Sequence, residues 1–272
     1  MAALPALRRH PPSAMRNLAC PAGHSFDIAR QGYVSLLRGG RRRHRGDSTA
    51  MVARREHFLG QDHYRPLRST LTSVAVELAP TEPRLVVDLA GGTGHYLSAV
   101  LDGLTQHWGL TTDLSPAALR RAARAHPRAA AIASDAWEEL PLAPGTAAHV
   151  LNVFGPRNIT EIDRVLADDG VLLIATAAPD HLHELRRLDG TLGVAPRKRE
   201  RLQAALRAFE PVIRQPVTWR LALSRPEVAN LLGMGPTGHH LDEREIEAQV
   251  ARLPPLVGVT ASIDVVGLRR RG

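Results

Sequence analysis

The segment "RLVVDLAGGTG" at 84–94 constrains the fold of this chain more than any other. Its apolar run predicts a buried strand, and the glycines after it predict a tight turn, in which the backbone passes close to a ligand before a helix begins. In an open sheet of parallel strands, ligands bind at the carboxyl ends of the strands. The segment therefore predicts a ligand site at the edge of an α/β sheet.

The residues that follow continue to alternate short apolar runs with helical stretches. Further strands are predicted at "WGLTTD", "AAIASD", "AHVLNVF" and "GVLLIATA", with helices over 94–102, 115–126 and 158–167. Beyond residue 211 two more strands are predicted, "VIRQPVTWRLALS" and "VGVTASIDVVGL", with helices near 225–232 and 241–252 between them. This order is typical of a largely parallel sheet covered by helices on both faces.

The region before the sheet shows a different pattern. Apolar residues have helical spacing over 48–79, with Asp47 and Ser48 placed to cap the start, which predicts connecting helices. Residues 1–37 are rich in turn formers and predict a compact N-terminal module. We therefore divide the chain into this module, a basic linker with connecting helices over 38–79, and a main domain over 80–272.

Two aspartates follow later strands. Asp113 ends the second strand roughly 20 residues after the glycine turn, where a carboxylate can accept hydrogen bonds from both ribose hydroxyls of a nucleoside. Asp135 ends the third strand, where a carboxylate can accept from the amino group of adenine. Either acid alone is also suited to cap a helix or turn. Together, at successive strand ends, they predict an adenosine-binding site.

The form of the turn separates two adenosine cofactors. NAD also needs an acid after the second strand, but its turn reads G-x-G-x-x-G. Here the turn reads D-x-A-x-G-x-G with the acid at the strand end, and no second nucleotide-binding half is visible. The pattern favours S-adenosylmethionine, with Asp88, Ala90 and Gly94 among its contacts.

The charge balance points to a polyanion. The formal net charge is +8, and Arg38, Arg41, Arg42, Arg43 and Arg45 form a short arginine arm. Such a run is typical of a segment that contacts phosphates, so RNA is the expected partner. An arginine-biased genome is the alternative source of the excess. No apolar run is long enough to span a membrane, so we expect a cytoplasmic protein.

Six strings are specific enough to indicate a family: "CPAGHSFDIARQGYVSLL" at 20–37, "GDSTAMVARREHFL" at 46–59, "DHYRPL" at 62–67, "VVDLAGGTGHY" at 86–96, "LNVFGPRN" at 151–158 and "MGPTGHH" at 234–240. With them the chain resembles, nearly end to end, the large-subunit ribosomal RNA guanine-N1 methyltransferases. Within that family it resembles the actinomycete branch that gives tylosin- and mycinamicin-type macrolide resistance.

The resemblance implies a Rossmann-like, seven-stranded methyltransferase sheet behind a small zinc-ribbon-like RNA-recognition module. It also implies a ribosomal RNA hairpin guanine near the macrolide site as the substrate. Carried over by position, it implies that Tyr64, Gly92, Thr93 and His181 contact the cofactor. Spacing alone would not have identified Tyr64 or His181, since a lone tyrosine or histidine is more often simply packed or exposed.

The zinc ligands of this module are incomplete. The family has two ligand pairs, and only the second survives, as Cys20 and His24; the first pair falls on Leu4 and Leu7. A structural zinc ion takes four ligands, and among residues 1–19 only His10 could substitute. We therefore expect no structural zinc and assign no metal ligands.

The string "LNVFGPRN" holds the candidate catalytic residues. Because the methyl donor is already a strong electrophile, the enzyme chiefly needs to place N1 of the guanine in line with the methyl group and to ease loss of the N1 proton. Asn152 ends the fourth strand beside the methyl position, Arg157 is placed to touch O6 or a phosphate, and Phe154 is placed to stack on the target base. Asn152 as a plain turn residue and Phe154 as a core residue are the structural alternatives.

Two other functions stay open at this point. One is a methyltransferase acting on a small molecule of an antibiotic pathway, and the other is an RNA-binding relative without turnover, which the altered turn residue Ala90 and the missing cysteines would suit. A homodimer also stays open, since the sequence does not determine the oligomeric state.

Overall fold

The computed structural model describes residues 17–19, 23–37, 44–188 and 206–271. Its strands are β1 (Asn17–Ala19), β2 (Ser25–Asp27), β3 (Val34–Ser35), β4 (Leu85–Leu89), β5 (Trp108–Asp113), β6 (Ala129–Ala133), β7 (Ala147–Val153), β8 (Leu166–Ala177), β9 (Phe209–Ser224) and β10 (Leu256–Arg270). Its α-helices are α1 (Thr49–Gly60), α2 (Arg65–Glu77), α3 (His95–Gly103), α4 (Pro116–Ala122), α5 (Ile159–Val165), α6 (Arg225–Gly233) and α7 (Glu243–Ala251).

The main sheet has the strand order β3-β6-β5-β4-β7-β8-β10-β9 within the described residues. The six strands from β3 to β8 in this order run parallel, and β10 pairs antiparallel with both β8 and β9. The seven strands implied by the family resemblance are therefore present. The sheet also gains an eighth, because Val34 and Ser35 of the N-terminal segment pair with Ile132 and Ala133 at its edge.

Apolar residues cover both faces of the sheet. One buried cluster joins the central strands to α2, α3, α6 and α7, and includes Leu67, Leu71, Leu97 and Leu101. The other lies between the sheet and α5, and Phe26 and Ile28 of the N-terminal segment pack against it. Burial of these side chains supplies the main favourable term for folding, and it fixes the strand ends relative to one another.

Local sequence sets the helix boundaries. The side chain of Ser48 accepts a hydrogen bond from the Met51 amide at 3.2 Å and so caps α1, as predicted. Asp242 and Glu245 form a reciprocal capping box at the start of α7. Asp47, the other predicted cap of α1, has a different role and pairs with Arg55.

The predicted strands and helices of the main domain are confirmed, with ends that differ by a few residues; β5 begins and ends at the predicted positions. Among the described residues, every helix is too short or too polar to cross a membrane.

Candidate active site

The chain order reverses between β4 and β7, which are neighbours in the sheet. A crevice at such a switch point is where open α/β sheets bind ligands. Asp88 lies in β4, Asp113 ends β5, Asp135 follows β6 and Asn152 lies in β7. The structure therefore brings the predicted acids and the predicted catalytic asparagine to the same edge of four adjacent strands.

The turn after β4 has a backbone that most side chains would disfavour. Ala90, Gly92 and Gly94 have φ values of 55°, 61° and 76°, in the left-handed region. Alanine at such a position costs on the order of 1–2 kcal/mol, and strain of this kind is often kept at functional sites. A Cβ on Gly91 would overlap the Asp88 carboxylate, so this position has room only for glycine.

Asp88 lies beneath the turn and is 1% exposed. Neither of its carboxylate oxygens meets hydrogen-bond geometry with a described residue. Burial, and next the nearby charge of Asp113, raises the pKa of Asp88 to about 7. An unpaired acid in this position is suited to a ligand that brings positive charge or a hydrogen-bond donor.

Asp113 connects two parts of the site. Its Oδ2 accepts from the Gly92 amide at 2.9 Å, and its Oδ1 accepts from the Ser115 amide at 2.7 Å. Burial raises its pKa. Ser115, not Asp113, caps α4, through the Ala118 amide. A carboxylate has about four acceptor positions, so Asp113 can still accept from two ribose hydroxyls.

Asp135 is buried, and both of its oxygens have partners. Oδ1 accepts from the Trp137 amide at 3.0 Å, and Oδ2 lies 2.8 Å from Nδ1 of His44. The carboxylate keeps acceptor positions for an adenine amino group. The three acids and the turn thus supply the acceptors, the room and the unpaired negative charge that S-adenosylmethionine requires, and the residues present fit this cofactor.

Asn152 is fully buried in β7. Its Nδ2 donates to the carbonyl of Pro156 at 2.8 Å, whereas its Oδ1 has no partner among the described residues. An unpaired buried acceptor is costly, and it points to a donor supplied by a ligand. The structural alternative of a plain turn residue does not account for this atom.

Phe154 lies directly beyond β7 with φ at 60° and is 41% exposed. It is therefore not a core residue, and its ring stacks on that of His181 at a centroid distance of 6.2 Å. Arg157 is half-buried, its Nε has no partner in the described part of the chain, and burial lowers its pKa. A strained, exposed aromatic ring beside a partly desolvated guanidinium can receive a planar base.

Tyr64 and His181 lie together, as the family resemblance implied. Tyr64 is buried against Phe58 and Trp219, and its ring is 6.5 Å from that of His181. Burial lowers the pKa of His181 to about 4, so this ring is neutral at pH 7. Because Nδ1 of His181 accepts from the Ser262 amide, its proton is on Nε2, which remains available as a donor.

Sequence reasoning missed Arg55. Its guanidinium pairs with Asp47 at 2.5 Å, donates to the carbonyl of Met234 at 2.6 Å, and lies 3.2 Å from the position of a Cβ on Gly92. His239 also reaches Asp47, at 3.1 Å. The strings at 46–59 and 234–240 thus meet over the glycine turn. Their sequence separation gave no signal of this contact.

A cavity of about 620 Å³ opens beside the turn, between α1, α3 and α4. It borders Thr93 and lies on the side away from Asp135 and Phe154. Its lining includes cationic and acidic side chains: Arg68, His95, Arg121, Arg124, Glu56 and Asp102.

Arg45 is exposed next to His44. The predicted RNA contacts Arg38, Arg41, Arg42 and Arg43 lie outside the described residues, as do Cys20 and the positions of the missing zinc pair. Within the described part of the chain no group of three or more metal-binding side chains occurs.

Comparison with known proteins supports the family resemblance. A family model for the N-terminal zinc-ribbon domain of RlmA, described as "RlmA, N-terminal", matches residues 12–43. Among solved structures, a methyltransferase from Geobacter sulfurreducens in complex with S-adenosyl-L-homocysteine covers 75% of this chain and 90% of its own, with a TM-score of 0.50 and 17% identity. The YcgJ protein of Bacillus has the same TM-score and 14% identity. These two likenesses show the fold.

Two relatives are much closer in sequence. One, from Micromonospora griseorubida, is named as a 23S rRNA (guanine-N1) methyltransferase; it is 47% identical over 95% of this chain and 91% of its own length. The other, from Streptomyces fradiae, is named 23S rRNA (guanine(748)-N(1))-methyltransferase; it is 44% identical over 92% of this chain and 90% of its own. The chain belongs to the family of 23S rRNA (guanine-N1) methyltransferases.

Proposed function

We propose that this protein transfers a methyl group from S-adenosylmethionine to N1 of a guanine in a hairpin of 23S ribosomal RNA, in the cytoplasm, and so confers macrolide resistance. The observation that carries the proposal is the unpaired Oδ1 of Asn152, buried beside the glycine turn at the switch point of the sheet. The names of the two close relatives support the choice of RNA and atom.

The cofactor side of the site consists of the turn and the acids. We assign Asp88, Ala90, Gly92, Thr93 and Gly94 to the methionine end, Asp113 to the ribose and Asp135 to the adenine, with Tyr64 and His181 closing the pocket. When bound, the cofactor supplies an electrophilic methyl group on a sulfonium.

The guanine side consists of three residues beyond β7. Because N1 is paired in a duplex, the target base has to be in a loop or flipped out, and the exposed ring of Phe154 gives it a surface for stacking. The unpaired Oδ1 of Asn152 accepts from the N1 or 2-amino edge of the base. These two contacts hold N1 in line with the methyl group.

Arg157 acts on the charge that develops on the base. Loss of the N1 proton places negative charge on O6, and a partly desolvated guanidinium stabilises that charge more strongly than water would. The C–S bond of the donor breaks as the N1–C bond forms, and the N1 proton leaves to solvent. The exposed Arg45 and the arginine arm beside it supply contacts to the RNA phosphates.

The test is transfer of labelled methyl groups to 23S rRNA by purified protein, followed by nuclease digestion and identification of the methylated nucleoside. The wild type should produce N1-methylguanosine. Asn152→Ala and Arg157→Ala should each lower kcat by about 10²-fold or more while leaving the affinity for S-adenosylhomocysteine unchanged. Arg244→Ala, an exposed arginine on α7, is the matched control and should retain full activity. Methylation at another atom, or full activity in both site variants, would contradict the proposal.

A further inference from the structure

Residues 44–47 lie directly across the adenosine side of the pocket, and we name them the strap. The strap follows the arginine arm at 38–43 in the chain and leads into α1. Its contacts reach three separate parts of the cofactor site: the end of β6, the end of β5 and the glycine turn.

The first contact is at Asp135. Nδ1 of His44 lies 2.8 Å from Asp135 Oδ2, and the His44 ring lies 6.0 Å from that of Trp137, centroid to centroid. The Trp137 amide holds the other oxygen of Asp135. His44 and Trp137 therefore approach the same carboxylate, and both rings are largely exposed at the place where the adenine is expected.

The second contact is just past Asp113. A Cβ on Gly46 would lie 2.7 Å from the Ser115 amide nitrogen, so the strap backbone presses against this loop. The Ser115 hydroxyl donates to the Asp47 carbonyl at 2.7 Å. The strap is thus fixed to the loop that follows the ribose-facing acid.

The third contact runs through Arg55. Asp47 holds the Arg55 guanidinium at 2.5 Å, and this guanidinium covers Gly92. A displacement of the strap would therefore alter the surroundings of Asp135, Asp113 and the turn together.

We infer that the strap is a wall of the adenosine pocket, that His44 is the positioning residue that orients Asp135 for the adenine amino group, and that the strap couples cofactor binding to RNA binding. The coupling rests on the proposed function. Cofactor contacts that order the strap also fix the base of the arginine arm, so RNA then loses less conformational freedom on binding. By linkage, RNA must strengthen cofactor binding by the same factor.

The first measurement is calorimetric binding of S-adenosylhomocysteine to the full chain. His44→Ala should raise the Kd about tenfold, because Asp135 loses a charge-assisted hydrogen bond. His44→Asn should restore binding to within roughly threefold of wild type, since its amide donor can take the place of Nδ1. A purely steric role of the strap would not be rescued in this way.

The matched control is His57→Ala, an exposed histidine of α1 whose ring contacts Gln61. It should bind S-adenosylhomocysteine as the wild type does. Equal affinity of wild type and His44→Ala would overturn the positioning role of His44.

The second measurement is binding of a labelled hairpin transcript centred on guanine 748, the position in the name of the Streptomyces fradiae relative. Saturating S-adenosylhomocysteine should increase wild-type RNA affinity by about fivefold or more, and His44→Ala should reduce this factor to near one. A factor of one in the wild type, or the same factor in both proteins, would overturn the coupling. Failure of the wild type to bind the hairpin would contradict the proposed substrate and the coupling, while a weakened cofactor affinity in His44→Ala would still uphold the positioning role.

Discussion

The affinity for S-adenosylmethionine should depend on pH through Asp88, whose pKa burial raises to about 7. The cofactor carries positive charge, and the Asp88 carboxylate beneath the turn has no partner among the described residues. The ionised form should therefore bind the cofactor better. Below pH 7 a growing fraction of the protein has a neutral Asp88, and the cofactor must then be bound by the minority ionised form.

The size of the effect follows from that pKa. The apparent Kd scales with one plus the ratio of neutral to ionised Asp88, so it should rise about tenfold between pH 8 and pH 6, and about another tenfold by pH 5 if the bound-state pKa is lower still. The Asp88→Asn variant cannot ionise here, and its Kd should be higher than that of the wild type at pH 8 and nearly flat down to pH 6.

Calorimetry on both proteins at half-unit intervals from pH 5.5 to 8.5 (roughly the range that brackets the Asp88 pKa) makes the comparison. Titration of the cofactor itself affects both proteins alike, so the difference between the two curves belongs to Asp88. Parallel curves for wild type and Asp88→Asn would refute the assignment of this acid to the charged end of the cofactor.

Three further predictions concern stability, RNA and metal. Burial lowers the pKa of His149 from 6.5 to about 4, so its contribution to folding is present above pH 6.5 and should fall by about 3 kcal/mol as the pH drops to 4; His149→Leu should lack this share in urea unfolding, and an unchanged pH slope would contradict it. Neutralising the arginines at 41–43 should flatten the plot of log RNA affinity against log salt by roughly 0.7 to 0.9 for each phosphate that the arm no longer neutralises, without changing cofactor affinity; coinciding slopes would show that the arm does not touch phosphates. Purified protein should carry far less than one equivalent of zinc, since Leu4 and Leu7 cannot ligate a metal; one equivalent that survives dialysis against a chelator would show a different ligand set.

Local pattern predicted most of the sheet, because apolar runs and strand-end acids are features of neighbouring residues. Asp113 at the end of β5 could be located in this way, from the length of the strand and the distance to the glycine turn. The eighth strand could not, because β3 is two residues long and forms only by pairing with the edge of β6.

The site was less accessible to such reasoning. His44 and Asp135 are 91 residues apart, and Arg55 reaches a carbonyl 179 residues away, so only the folded chain brings these groups together. Tyr64 was available through the family resemblance alone, because a buried tyrosine at a helix start has no distinctive spacing. The positive φ of Phe154 likewise has no sequence signal, since this conformation is imposed by the loop after β7.

Primer extension on 23S rRNA tests the central claim most directly, because a methyl group on N1 blocks base pairing and stops the polymerase. RNA from cells that express the chain should show a new stop next to a single hairpin guanine, and RNA from cells that express Asp113→Ala should lack it. An unmodified 23S rRNA in cells with active wild-type protein would contradict the account.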